Sequence, residues 1–131
     1  MIRAALLHLG VGFTFGALLL FNKGIALDGR VWPLLAPHIE LVLLGWTMQL
    51  AMGTAFWIMP RFTGAQRYGN VRLGWATFAL VNLGVIGAAF GLYIGTGSLV
   101  LIGRAGELLA AFSFVLHLWP RIKPFGETST N

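Results

Sequence analysis

The sequence contains no cysteine, so disulfides, thiolate metal sites and covalent cofactor attachment through Cys-x-x-Cys-His are excluded. Charge is scarce as well. Only 10% of the 131 residues are Asp, Glu, Lys or Arg, against about 25% in soluble proteins, so there is too little charge to cover a water-facing surface. The motifs of nucleotide enzymes and hydrolases are missing too: no phosphate-binding loop, no H-E-x-x-H, no glycine-rich dinucleotide fingerprint and no nucleophile beside a base.

What is abundant is apolar. Four windows, 4–21, 32–59, 73–94 and 98–119, are each long enough to cross a bilayer, which takes about 20 residues. The sequence therefore predicts an all-α, four-transmembrane-helix bundle over residues 1–120, followed by a polar tail, 121–131, and leaves no room for a soluble catalytic domain. The opening "MIRAALLHLGVGFTFGALLL" has the composition of a signal peptide, but no small-residue cleavage site follows it, and it reads as a retained first helix.

The net charge of +5 does not point to nucleic acid, because the basic residues lie at helix ends rather than along one solvated face. Arg3, Arg61, Arg67, Arg72, Arg121 and Lys123 fall on one side, and Lys23 and Arg30 on the other. The positive-inside bias then puts both the N- and C-termini in the cytoplasm, with the lipid bilayer as the first partner. Trp32 and Pro33 suit the start of the second helix, and the short turn "GTGS" makes the third and fourth helices antiparallel neighbours. Glycines recur at helical spacing: Gly12 and Gly16, Gly45 and Gly53, then Gly87, Gly91 and Gly95. Small residues let helix backbones approach closely where lipid offers no hydrophobic drive, within one chain or between copies.

Against this background the ionisable residues inside the spans stand out. His38 lies five residues past Pro33, about 8 Å down the helix, in the outer leaflet and below the headgroups. Its helical stripe continues through Val42, Gly45, Gln49, Gly53 and Phe56. An imidazole above missing side chains at Gly45 and Gly53 would suit a flat macrocycle with His38 as an axial ligand of haem iron; a neutral imidazole donating to a neighbouring helix accounts for the same residue. Glu40 projects on nearly the opposite side, with Thr47 and Thr54.

Arg104 and Glu107, three residues apart, can pair on one face at a similar depth. Arg104 then either neutralises a haem propionate or belongs to a buried ion-pair network with Glu107 and Glu40. His8 stands above Gly12 and Gly16, and His117 just before Trp119 and Pro120; both are expected at one depth, in the leaflet opposite His38 and roughly 20 Å from it. There they would ligate a second haem, or His117 would simply anchor the end of its helix. Met48, Met52 and Met59 offer thioethers or packing.

The segment "PHIELVLLGWTMQLAMGTAFWIMPRFTGAQRYGNVRLGWATFALVNLG" resembles the second and third helices of haem–copper oxidase subunit I and its nitric oxide reductase relatives. Shared features are an early histidine, Gly-Trp, a glycine ahead of an aromatic and proline, a basic loop, and Asn-Leu-Gly. The likeness is loose in the first helix and looser in the fourth. It implies that His38 is an axial ligand of a low-spin haem b. It also implies an electron-transfer or haem-binding role in a bacterial inner (cytoplasmic) membrane, with a respiratory-chain redox partner. Family catalysis needs three copper-binding histidines, a further histidine for a second haem and many more helices, whereas this chain has three histidines in all. Oxidase activity by the chain alone is not expected. Subunit I consists of three arcs of four helices, so a chain of one arc implies a homo-oligomer, trimer or dimer, that brings a second ligand to His38. The alternative is a non-catalytic structural subunit of a larger respiratory or photosynthetic complex, without a cofactor of its own.

Overall fold

The computed structural model describes residues 1–26, 28–60 and 68–122. Arg61, Arg67, Lys123 and most of the 121–131 tail, which entered the charge argument above, lie outside the described residues. Four helices are long and apolar enough to span a membrane: α1 (Ile2–Gly24), α2 (Gly29–Ile58), α3 (Val71–Ile94) and α4 (Gly97–Arg121). Helices are what such a sequence must form, because hydrocarbon has no water to satisfy backbone N–H and C=O groups.

Helix starts follow from capping. Asp28 accepts a 2.9 Å hydrogen bond from the Arg30 N–H, and Asn22 Oδ1 accepts one of 3.0 Å from the Asp28 N–H. This cap starts α2 at Gly29, three residues ahead of the expected Trp32, and puts Pro33 inside the opening 3-10 stretch, Gly29–Leu34, as its fifth residue. Asn70 caps α3 in the same way, accepting from Arg72 at 3.1 Å. Gly95, at φ 73°, ends α3 in the left-handed conformation that glycine adopts without penalty.

Within α2 the residues Leu41–Met48 form a π-helical stretch, with hydrogen bonds reaching five residues back. The Thr47 hydroxyl follows the same step, donating to Val42 O at 3.0 Å. Wide turns change the phase of side chains along a helix. As a result Glu40 is buried while Thr47 and Thr54 are exposed, and the three do not share the face that regular helical spacing assigned to them.

α1 packs closely on α2, α2 on α3, and α3 on α4, the last pair being the most intimate. The α3–α4 contact is backbone on backbone. A Cβ added at Gly103 would lie 2.5 Å from Ala88 N and 2.7 Å from Gly84 O, and one at Gly91 would lie 2.8 Å from Val100 N. Leu41, Val81, Val85, Ala89 and Ala110 form the core between α2, α3 and α4. Much of α1 turns its apolar side chains outward, as a lipid-facing helix does.

Two substitutions separate close approach from mere helix propensity. Gly103→Ala is expected to destabilise the protein by about 1–3 kcal/mol, because its methyl meets backbone rather than a movable side chain. Gly10→Ala, which meets nothing within 4 Å in the middle of α1, should stabilise it by about 0.5–1 kcal/mol. Unfolding in mixed detergent micelles, followed by circular dichroism, measures both, and the two shifts should have opposite signs.

Candidate functional site: three anchored imidazoles and a charged triad

α1 and α2 are joined by a reciprocal pair of histidines. The His38 Nδ1–H donates to Gly12 O on α1 at 2.7 Å, and its ring lies on Gly16, where an added Cβ would meet Cε1 at 2.7 Å. In the other direction the His8 Nδ1–H points at Gly45 O (3.1 Å) and Gln49 Oε1 (3.2 Å) on α2, and its ring lies on Gly45, whose added Cβ would meet Cγ at 2.8 Å. His8 thus takes both its room and its carbonyl from Gly45, whereas His38 takes its carbonyl from Gly12 and its room at Gly16. His117 repeats the bond on the other flank of α2: its Nδ1–H donates to Asn70 O at 3.0 Å while its ring stacks on Phe56, centroids 5.3 Å apart.

A carbonyl only accepts, so all three rings carry their proton on Nδ1, and the neutral ring then keeps its lone pair on Nε2. The three Nε2 atoms differ in surroundings. That of His117 is buried with no hydrogen-bond partner among the described residues, whereas those of His8 and the half-buried His38 are not enclosed by the chain.

Several expectations are corrected here. Gly45 and Gly53 do not leave a groove beside His38: His8 fills the space over Gly45, and Ile2 and Met1 fill that over Gly53, with an added Cβ 2.9 Å from Ile2 Cγ1. His8 meets α2 at Gly45 and His38 meets α1 at Gly12 and Gly16, so these two rings are about 10 Å apart along the helices rather than 20 Å. His8 and His117 share neither depth nor flank, since His117 sits at Phe56, two to three turns beyond Gly45, and they cannot meet at one iron within the chain. Nor is His117 an exposed anchor, for it is 2% exposed.

The charged residues do come together. Arg104 holds Glu40 with both arms, NH1 to Oε1 at 2.8 Å and NH2 to Oε2 at 2.7 Å, and NH1 also reaches Glu107 Oε2 at 2.9 Å. Both carboxylates are buried, while the Arg104 side chain is 41% exposed. The triad ties α2 to α4, gives Glu40 a partner and supplies Arg104 with two partners from within the chain.

The opposite end is held by Arg121, which the sequence marked only as a topological charge. Arg121, 1% exposed, donates to Phe56 O (3.1 Å) in the last turn of α2 and to Met59 O (2.9 Å) and Pro60 O (2.9 Å) just past its end. Gln49 is fully buried against His8. Position at a helix end made Arg121 look like one more topological charge; only its distance from α2 in three dimensions reveals the cap. Among the described residues no three His, Asp or Glu side chains converge on a metal-ion site.

Removing the cation of the triad strands two buried carboxylates. Arg104→Met should cost about 2 kcal/mol, below the loss for a wholly buried pair because Arg104 is partly exposed. Adding Glu40→Gln and Glu107→Gln to Arg104→Met should recover most of that loss in the same micelle unfolding assay. No protein-family model, curated protein or solved structure matches the chain.

Proposed function

We propose that this chain is a haem b-binding integral membrane protein with an electron-transfer or haem-binding role, in which His38 supplies one axial ligand. The observation that carries the reading is the state of the His38 ring: Nδ1–H is fixed to the Gly12 carbonyl at 2.7 Å while Nε2 is left open. Histidines that ligate metals almost always donate their other ring N–H to a carbonyl or carboxylate, which fixes orientation and raises basicity. The residues fit a single imidazole ligand. When bound, the iron would provide reversible one-electron exchange. Gly12 orients the ring, Gly16 gives it room, and the Glu40–Arg104–Glu107 triad keeps the neighbouring charges paired.

His8 is about 10 Å away along the helices and His117 faces the other flank, so a second axial ligand comes from another copy of the chain. A two-fold dimer satisfies the ligand count, and a trimer would match the three arcs of the family that "PHIELVLLGW" resembles. In this reading the termini are cytoplasmic, the membrane is the bacterial inner membrane and the redox partner belongs to a respiratory chain. One observation favours a second reading. The space over Gly45 and Gly53 is filled by the chain itself, as suits a structural subunit of a larger respiratory or photosynthetic complex without its own cofactor.

The visible spectrum of the purified protein separates the two. A six-coordinate b-type α-band in the wild type, lost in a folded His38→Ala variant, is the expected result. Haem content unchanged by His38→Ala removes the ligand assignment, and a wild type that binds no haem leaves the structural subunit.

A further inference from the structure

α1 and α3 both lie against α2, but neither packs closely on the other, and a cleft of about 490 Å³ runs between them. Phe15 from α1, Leu34 and Leu41 from α2 and Phe90 from α3 line it, and no charged side chain among the described residues does. Ile86 and Tyr93, also in its wall, are seven residues apart on α3, so the slot extends about 10 Å along the helices. It opens sideways toward lipid, for Ile86 and Phe90 are each 55% exposed. The volume lies in the usual range for small-molecule sites, about 300–1,000 Å³.

One unanswered polar atom stands at the inner end. His8 is nine-tenths buried, and its Cβ, Cγ and Nδ1 are the atoms nearest Gly45, which makes Nε2 the ring vertex farthest from that contact. His8 also lines the cleft, so this free edge of the ring borders it. Gly45 O and Gln49 Oε1 hold the Nδ1–H, and Nε2 keeps a lone pair with no hydrogen-bond partner among the described residues. His8 lies about 9 Å inside the Ile2 end of α1, in hydrocarbon, where no bulk water supplies the missing donor. A ligand that brings a donor to this atom recovers the free energy that an unmatched buried acceptor costs.

These features select the ligand by its chemistry. Without a cation in the wall, carboxylates and phosphates would enter unpaired, which excludes ionised lipids and also the haem that the sequence allowed at His8. A neutral imidazole with its proton on Nδ1 only accepts at Nε2, so ethers, esters and ketones gain nothing there. What remains is an apolar body with a hydroxyl donor at one end, and Phe15, Phe90 and Tyr93 offer their faces and edges to an aromatic ring. We infer that the cleft binds a neutral lipophilic aromatic alcohol, a phenol or hydroquinone ring on an apolar tail, whose hydroxyl donates to His8 Nε2. All its walls come from one chain, and it stands whether or not His38 ligates haem.

Binding of tritiated para-decylphenol to the haem-free protein in mild detergent, competed by its methyl ether and by decylhydroquinone in reduced and oxidised forms, tests this. The phenol and the reduced hydroquinone should bind roughly tenfold more tightly than the ether and the oxidised form, which share the body but have no proton to donate. Nitrogen-15 NMR should show the His8 Nε2 signal moving upfield with the phenol while Nδ1 stays protonated. His8→Phe keeps a ring over Gly45 and removes the acceptor, so it should bind phenol and ether equally. Because His8 also ties α1 to α2, Ile86→Trp provides a variant that fills the slot and leaves the histidine in place; it should weaken every probe. Equal affinity for phenol and ether in the wild type overturns the inference and leaves an apolar slot for acyl chains. So does a phenol preference that survives His8→Phe, binding untouched by Ile86→Trp, or no uptake at all. Within a positive result, reduced decylhydroquinone binding more tightly than decylphenol places the natural ligand among reduced quinones, and the reverse order places it among simple phenolic lipids.

Discussion

An imidazole placed in hydrocarbon has to give its N–H to something, and in this chain the acceptor is always a backbone carbonyl on another helix or at its cap. The three bonds, His38 to Gly12, His8 to Gly45 and His117 to Asn70, join α1 to α2 twice and α4 to the start of α3 once. Helix carbonyls are already used within their own helices, so they accept a second bond only where a donor comes close. Glycine makes that approach possible on Gly12, Gly16 and Gly45, because a methyl at Gly16 or Gly45 would stand within 2.8 Å of a ring atom. The same constraint shapes the rest. Arg121 covers the end of α2, and Arg104 bonds to two buried carboxyl groups, because at these depths a partner has to be protein.

The result is a cluster of α2, α3 and α4 around one core, with α1 laid against α2. α1 is held to the others through α2, by ring-on-glycine contacts and their hydrogen bonds, whereas α3 and α4 meet along glycine and alanine with their backbones in contact. α2 is the central element, and it is also the irregular one. Its π-helical residues Leu41–Met48 lie between the level of Glu40, which turns toward α4, and that of Gln49, which turns toward α1. π-helical segments are costly and frequently mark functional sites, and this one lies beside both open imidazoles.

Much of this was legible from residue type and spacing, and the remainder failed for identifiable reasons. Apolar length alone located the four spans, and the three-residue step from Arg104 to Glu107 gave their pairing. Of the stripe, His38, Val42, Gly45, Gln49 and Gly53 lie on the face that α1 covers, whereas Phe56 turns to His117 on α4. What one-dimensional spacing could not supply was the occupant of that face. Missing side chains look alike whether a cofactor or another helix fills them, and here His8 and Ile2 do. Depth was misjudged for His8 because a residue count from the chain terminus ignores how far α1 slides along α2. Glu40 was misplaced relative to Thr47 and Thr54 because nothing in "LVLLGWTM" announces wide turns.

The Nδ1-protonated, Nε2-open state of these rings both ties the helices together and leaves the imidazoles ready to act as ligands. Nitrogen-15 NMR of the histidine ring nitrogens, in haem-free protein reconstituted in lipid, observes it directly. All three rings should show a protonated Nδ1 and an unprotonated Nε2, with the His38 and His8 signals assigned by His38→Ala and His8→Ala. A proton on Nε2 of His38 or His8 with Nδ1 bare would contradict the account, because neither the carbonyl bonds of Gly12 and Gly45 nor an open ligand nitrogen would then exist.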